Sequence, residues 1–156
     1  MSDIALICTS PFCEMESFRK ITLPSLISQT CQSFCFYFLD CFYSRNQQYF
    51  RELQDKVQFK IVHAPGLHAT HYPHFFTWEQ NNSAVLLSQE SIFLRFGRFR
   101  RYHPNAIEFV LNTMEPYTVL NFPHSTEHLT EFEPVIAAYG GMIAMNREEY
   151  LYSLRH

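Results

Sequence analysis

No apolar run in this 156-residue chain reaches the roughly 18–20 positions that a membrane-spanning helix requires. The first residues, MSDIALICTSPF, lack a basic region followed by a long apolar stretch, so a secretory leader is not expected. Charged residues are sparse at 17%, and the formal net charge is only −3. That balance supplies no whole-chain attraction to nucleic acid or to an anionic membrane. Internal repeats and low-complexity tracts are also missing. A soluble, cytoplasmic globular protein is the expectation these absences leave. The five cysteines (Cys8, Cys13, Cys31, Cys35 and Cys41) are odd in number and contain no CxxC pair. Several fall in apolar, strand-like runs, where a reduced thiol serves as a small core residue; a zinc or redox site is the alternative.

What the chain has instead is apolar and aromatic mass. Hydrophobic residues make up 47%, with 16 Phe and 9 Tyr, enough for a dense core or for stacking surfaces. A single domain over residues 1–156 is expected, able to bury roughly 68–70% of its unfolded surface. Ile4–Cys8 reads as a buried first strand, and Glu14–Ile27 as a helix that Pro24 either starts or kinks. Phe34–Leu39 is unbrokenly apolar, as expected of a strand covered on both faces. Gln47–Lys56 reads as an amphipathic helix with Tyr49, Phe50 and Leu53 inward. Val57–Val62 alternates as a third strand nearer an edge, and Pro65-Gly66 opens a long loop to about Phe76. Helices are expected at Trp78–Leu87 and Asn105–Met114, with strands at Ser91–Phe96, Tyr117–Phe122, Val135–Ala138 and Met142–Met145. Such alternation implies an α/β fold, a mostly parallel central sheet with helices on both faces. Asp40, at the end of the second strand, then lies where open α/β sheets place ligand contacts.

Several segments together resemble the family 2 glycosyltransferases, nucleotide-sugar enzymes of the GT-A fold. The similarity runs through Ile4–Thr9 with Pro11, Leu23-Pro24-Ser25-Leu26 with Ser28-Gln29-Thr30, and Ser33-Phe34 leading to Leu39-Asp40. Asn81–Ile92 is similar to that family's helix with an early asparagine, and Gly140–Glu148 (GGMIAMNRE) to its GGxxxxxRRE strand. The resemblance implies transfer of a sugar from a nucleotide-diphosphate donor, with uridine the expected base, to a saccharide or other hydroxyl acceptor. It also implies nucleotide contacts at Thr9, Ser10, Pro11 and Asp40. Ordinary turn chemistry is the competing account of all four, since Asp in particular bonds its own backbone in turns.

The family's acidic metal motif, Asp-any-Asp, has no counterpart here. No carboxylate lies between Glu90 and Glu108, where the chain reads FLRFGRFRRYHP. A Mn or Mg ion would lack an anionic protein ligand at that position, so metal-independent chemistry is expected. Arg98, with Arg95 second, is the candidate to hold the diphosphate through its planar fork. The same aromatic and basic interleaving also suits a single-strand nucleic-acid platform, which the acidic balance makes the weaker alternative, or a solvated loop anchored by its phenylalanines. The chain stops at Arg155-His156, before the acceptor-side carboxylates that the resemblance implies. Either a fragment or a shortened member of that family is therefore expected, and no catalytic base is assigned. A non-catalytic GT-A-like binding or assembly module is the rival reading.

Two histidine groups remain. His68, His71 and His74 are spaced H-x2-H-x2-H, but Pro73 argues against a regular helix on which their rings would converge. A loop near the ligand is the alternative. His124, Glu127 and His128 match an H-x-x-E-H string of zinc peptidases, against a polar loop as the simpler account.

Overall fold

The five residues Ile4–Cys8 form strand β1, and every one of them is buried. Unbroken burial requires cover on both faces of a sheet, which the chain supplies by alternation. The computed structural model describes residues 3–8, 15–66, 82–96, 101–116, 120–122 and 142–154. Its strands are β1, β2 (Phe34–Asp40), β3 (Lys60–Pro65), β4 (Ile92–Phe96), β5 (Leu120–Phe122) and β6 (Met142–Asn146). They make a six-stranded sheet in the order β3-β2-β1-β4-β6-β5. Strands β1 to β4 are mutually parallel, whereas β6 runs antiparallel to both β4 and β5. The expected mostly parallel α/β sheet is therefore present, with one reversed strand inserted between β4 and β5.

Along β2, Phe34, Phe36 and Phe38 join one buried cluster and Cys35, Tyr37 and Leu39 the other. The first face is covered by the helical run of residues 15–27, by α3 (Tyr43–Gln54) and by α5 (Ala106–Thr113). Their contributions include Phe18, Leu26, Phe50, Leu53, Ile107 and Val110. The opposite face carries Ala84 and Val85 of α4 (residues 82–87), with Tyr150 and Leu151 of α6 (Arg147–Leu154) packed against it. Helices thus lie on both faces, as expected.

Residues 15–27 are not one regular helix. A short α1 (Met15–Ser17) passes into a π-helical turn, Phe18–Thr22, and then into α2 (Leu23–Ile27). The amide of Leu23 bonds the carbonyl of Phe18, five residues back. Pro24, which has no N–H and crowds the carbonyl four residues earlier, sits in the first turn of α2, and the wider turn before it accommodates the ring. Gln32 closes the other end, its Nε2 donating to the carbonyls of Leu26, Ile27 and Gln29 at 3.0–3.1 Å.

Two boundaries depart from the sequence expectation. Helix α3 begins at Tyr43 rather than Gln47, because Asp40 at the end of β2 accepts from the amide of its N-cap residue, Phe42, and from Asn46 Nδ2 in its first turn. Strand β3 covers Lys60–Pro65 rather than Val57–Val62. Gln54 explains the shift: its Nε2 donates to Phe59 O at 3.0 Å and its Oε1 accepts from Ile61 N at 2.7 Å. Phe59, meanwhile, stacks on Phe34 at 4.8 Å between centroids. Residues 57–59 are thereby drawn into the turn, and β3 still occupies the sheet edge. The expected piece Val135–Ala138 lies outside the described residues, as do residues 117–119 of the fifth strand.

Phe36 is fully buried at the middle of the first face, stacked with Phe18 at 5.7 Å and with Phe38 at 6.5 Å. Truncation to Phe36→Ala is expected to cost about 3–5 kcal/mol. In urea unfolding this reads as a lower midpoint with an unchanged slope.

Candidate functional site

The strand order fixes where ligands have room. From β1 the chain moves outward to β2 and β3, then returns to the other side of β1 as β4. The order reverses between β1 and β4, and in open α/β sheets the crevice beyond the carboxyl ends at such a reversal is the usual ligand site. Cys8 and Phe96, the last residues of β1 and β4, are direct register partners. The chain leaves these two adjacent ends into Thr9 and Gly97 respectively. Thr9, Ser10, Pro11 and Arg98 themselves lie outside the described residues. Arg95 lies one position before the end of β4, paired with Ile7 on one side and Ile143 on the other.

The polar residues of the LPSLISQT segment turn out to hold the chain that follows the basic stretch. Ser25 Oγ accepts from the amide of Tyr102 at 3.1 Å and donates to Thr22 O at 2.7 Å. Gln29 donates from Nε2 to the carbonyls of His103 (2.7 Å) and Ser25 (3.1 Å), and its Oε1 accepts from Ile107 N at 3.2 Å. Thr30 adds a backbone bond to Pro104 O and a hydroxyl bond to Glu108. The basic stretch is thus tied at both ends, to the sheet at Phe96 and to α2 at Tyr102. The two later resembling segments also meet one another. Arg147 donates through its amide to Ser91 O and through Nε to Val85 O, while the Tyr150 hydroxyl bonds Asn82 Oδ1.

Asp40 is at the predicted strand end but is 1% exposed and fully engaged. Its Oδ1 accepts from the Phe42 amide at 2.8 Å, and its Oδ2 accepts from Asn46 Nδ2 and contacts His63 Nε2, both at 2.8 Å. Burial by itself would raise the carboxyl pKa. The bonds from His63, Asn46 and the Phe42 amide outweigh it and hold the group below its ordinary value. With Asp40 ionised, His63 Nε2 carries the hydrogen and donates it. In this structure Asp40 is therefore an internal anchor joining β2, β3 and the first turn of α3, as local-turn chemistry allowed. His63 was not legible as a partner, because a separation of 23 positions carries no spacing signal; only the Asp40↔Pro65 register brings β3 alongside.

A second buried carboxylate, Glu90, accepts from the Tyr37 hydroxyl at 2.7 Å on the opposite face. Burial and this bond push the Tyr37 phenol upward, and burial pushes the Cys35 thiol up to about 11. Both groups stay neutral near pH 7, consistent with Cys35 as a core residue. Among the described residues, Cys8, Cys31, Cys35 and Cys41 form no disulfide with one another.

Among the described residues, no three metal-capable side chains gather together, and no helix is long and apolar enough to cross a membrane. His68, His71, His74, His124, Glu127 and His128 lie outside the described residues. No protein-family model matches this chain, and no curated protein matches it either.

Because the Asp40 pKa is lowered, this carboxylate contributes stability above about pH 4, and that contribution is lost as pH falls through the folded value. Asp40→Asn should lower stability at neutral pH by about 1–3 kcal/mol. It should also flatten the acid limb of a stability-versus-pH curve measured by urea unfolding.

Proposed function

We propose that this chain is a GT-A-like glycosyltransferase domain, binding a nucleotide-diphosphate sugar beyond the carboxyl ends of β1 and β4. The observation that carries this reading is the reversal of strand order between β1 and β4. It brings the ends leading into Thr9-Ser10-Pro11 and into Gly97–Arg101 side by side; the resemblance implies nucleotide contacts in the first stretch, and Arg98 in the second is the candidate for the diphosphate. In this scheme the acceptor hydroxyl oxygen attacks the anomeric carbon as its bond to the diphosphate oxygen breaks. The diphosphate leaves with the electron pair, and the proton of the acceptor hydroxyl passes to the departing diphosphate or to water. Arg98, supported by Arg95, would neutralise the leaving group by charge-assisted hydrogen bonds in place of a divalent cation.

Asp40 bears on a second reading. Its three internal bonds occupy the carboxylate that the resemblance would give to the base, which favours a non-catalytic GT-A-like module.

Thermal-shift titration with uridine, guanosine and thymidine diphosphates, each with manganese or chelator, separates the two. Ligand at about a hundred times its dissociation constant stabilises by roughly 2.7 kcal/mol, a shift of several degrees in a domain of this size. The glycosyltransferase reading expects a shift that survives chelator and is lost in Arg98→Ala. Absence of any shift with all three nucleotides leaves the non-catalytic module.

A further inference from the structure

We infer that the groove between α3 and β3 is a second binding site, separate from the β1/β4 crevice, for a small aromatic hydroxy acid. The groove has a volume of about 270 Å³. Its α3 wall comes from Tyr43, Gln47, Phe50, Arg51 and Gln54, whose spacing sets them along one stripe of the helix. Ile61 and His63 face them from β3.

Its specificity follows from which polar functions are already used. Gln54 is consumed by Phe59 and Ile61, as described above. Gln47 Nε2 donates to the Tyr43 oxygen at 3.0 Å, which leaves the Tyr43 hydrogen available to donate elsewhere. Arg51, one of the residues that line the groove, makes no ion pair or hydrogen bond with any described residue. His63 has its Nε2 held by Asp40, and its Nδ1 has no hydrogen-bond partner among the described residues. The His63 side chain is only 6% exposed and packs against the rings of Phe50 (4.3 Å), Tyr43 (4.7 Å) and Phe38 (5.8 Å). Its orientation is therefore fixed before any ligand arrives, which lowers the ordering cost of binding.

Two donors and one acceptor are thus left over, beside the apolar surfaces of Phe50 and Ile61. A carboxylate matches the Arg51 fork and the Tyr43 O–H. A ligand hydroxyl matches His63 Nδ1, which accepts in the neutral tautomer that donates from Nε2 to Asp40. An apolar ring between the two groups matches Phe50 and Ile61. The volume lies just below the roughly 300–1,000 Å³ of typical ligand pockets, so a single-ring compound fits the scale.

The test titrates the whole chain with meta- and para-hydroxybenzoate, following the His63 ring resonances by NMR. Benzoate, para-hydroxybenzamide and inorganic phosphate serve as comparison ligands. Saturable shifts at His63 are expected with one of the hydroxybenzoates. Binding at least about tenfold weaker is expected for the uncharged benzamide and for the hydroxybenzoate with Arg51→Gln, since each loses a hydrogen bond to a charged group. The Arg51 side chain is exposed, so this variant should melt at the wild-type temperature. A silent His63 ring, equal affinity for the benzamide, or unchanged affinity in Arg51→Gln overturns the site. Equal binding of benzoate or of phosphate overturns the hydroxy-acid assignment.

Discussion

Complete burial of β1 and β2 is the constraint on which the other elements depend. A strand buried on both faces has no polar side to show solvent, so helices must arrive on each face, and the pleat alone decides which residue meets which helix. Phe34, Phe36 and Phe38 meet Phe18, Phe50 and Phe59 on one side, and Cys35, Tyr37 and Leu39 meet α4 on the other. A slip of one residue in β2 would exchange these two sets, placing three phenylalanines where cysteine, tyrosine and leucine now sit. Register is therefore strongly specified, and with it the alignment of Cys8 with Phe38 and Phe96. That alignment forms the carboxyl edge of the sheet where a ligand can approach.

Around this apolar frame the polar side chains act as fasteners between distant segments. Ser25, Gln29 and Thr30 hold residues 102–108; Arg147 holds the starts of β4 and α6 against α4; Asp40 holds β3 and α3 to the end of β2. Apart from the exposed Thr30–Glu108 bond, these fasteners use side-chain groups to satisfy backbone amides or carbonyls, or buried polar groups, that would otherwise be costly in the interior. Ser25, Gln29, Thr30, Asp40 and Arg147 fall in the segments whose wording is similar to family 2 glycosyltransferases. Ser25, Gln29, Thr30 and Arg147 are engaged in architecture rather than pointing toward a ligand. That division suits a fold whose chemistry is supplied by the loops at one edge.

Periodicity made the strands and helices of the described residues readable because their apolar faces are unambiguous. β1, β2, β4 and α5 lie within about two residues of where the pattern put them. β3 and α3 moved further because single side chains intervened. Gln54 capped the backbone of Phe59 and Ile61, and Asp40 supplied an acceptor for the amide of Phe42. The Asp40 bond is a local turn that aspartate favours, but the Gln54 bonds have no sequence signature, since they depend on where α3 and β3 already lie.

Local pattern alone determined that this is an alternating α/β chain with an edge-bound third strand, and that an aspartate closes its second strand. These are consequences of hydrophobic period and of residue type, which act over a few neighbours. The tertiary structure decided what that aspartate touches, that β6 enters the sheet reversed between β4 and β5, and that His63, Tyr43 and Arg51 line one groove. Those outcomes depend on strand order and register, set by the joint packing of segments tens of residues apart, which no short window of sequence records.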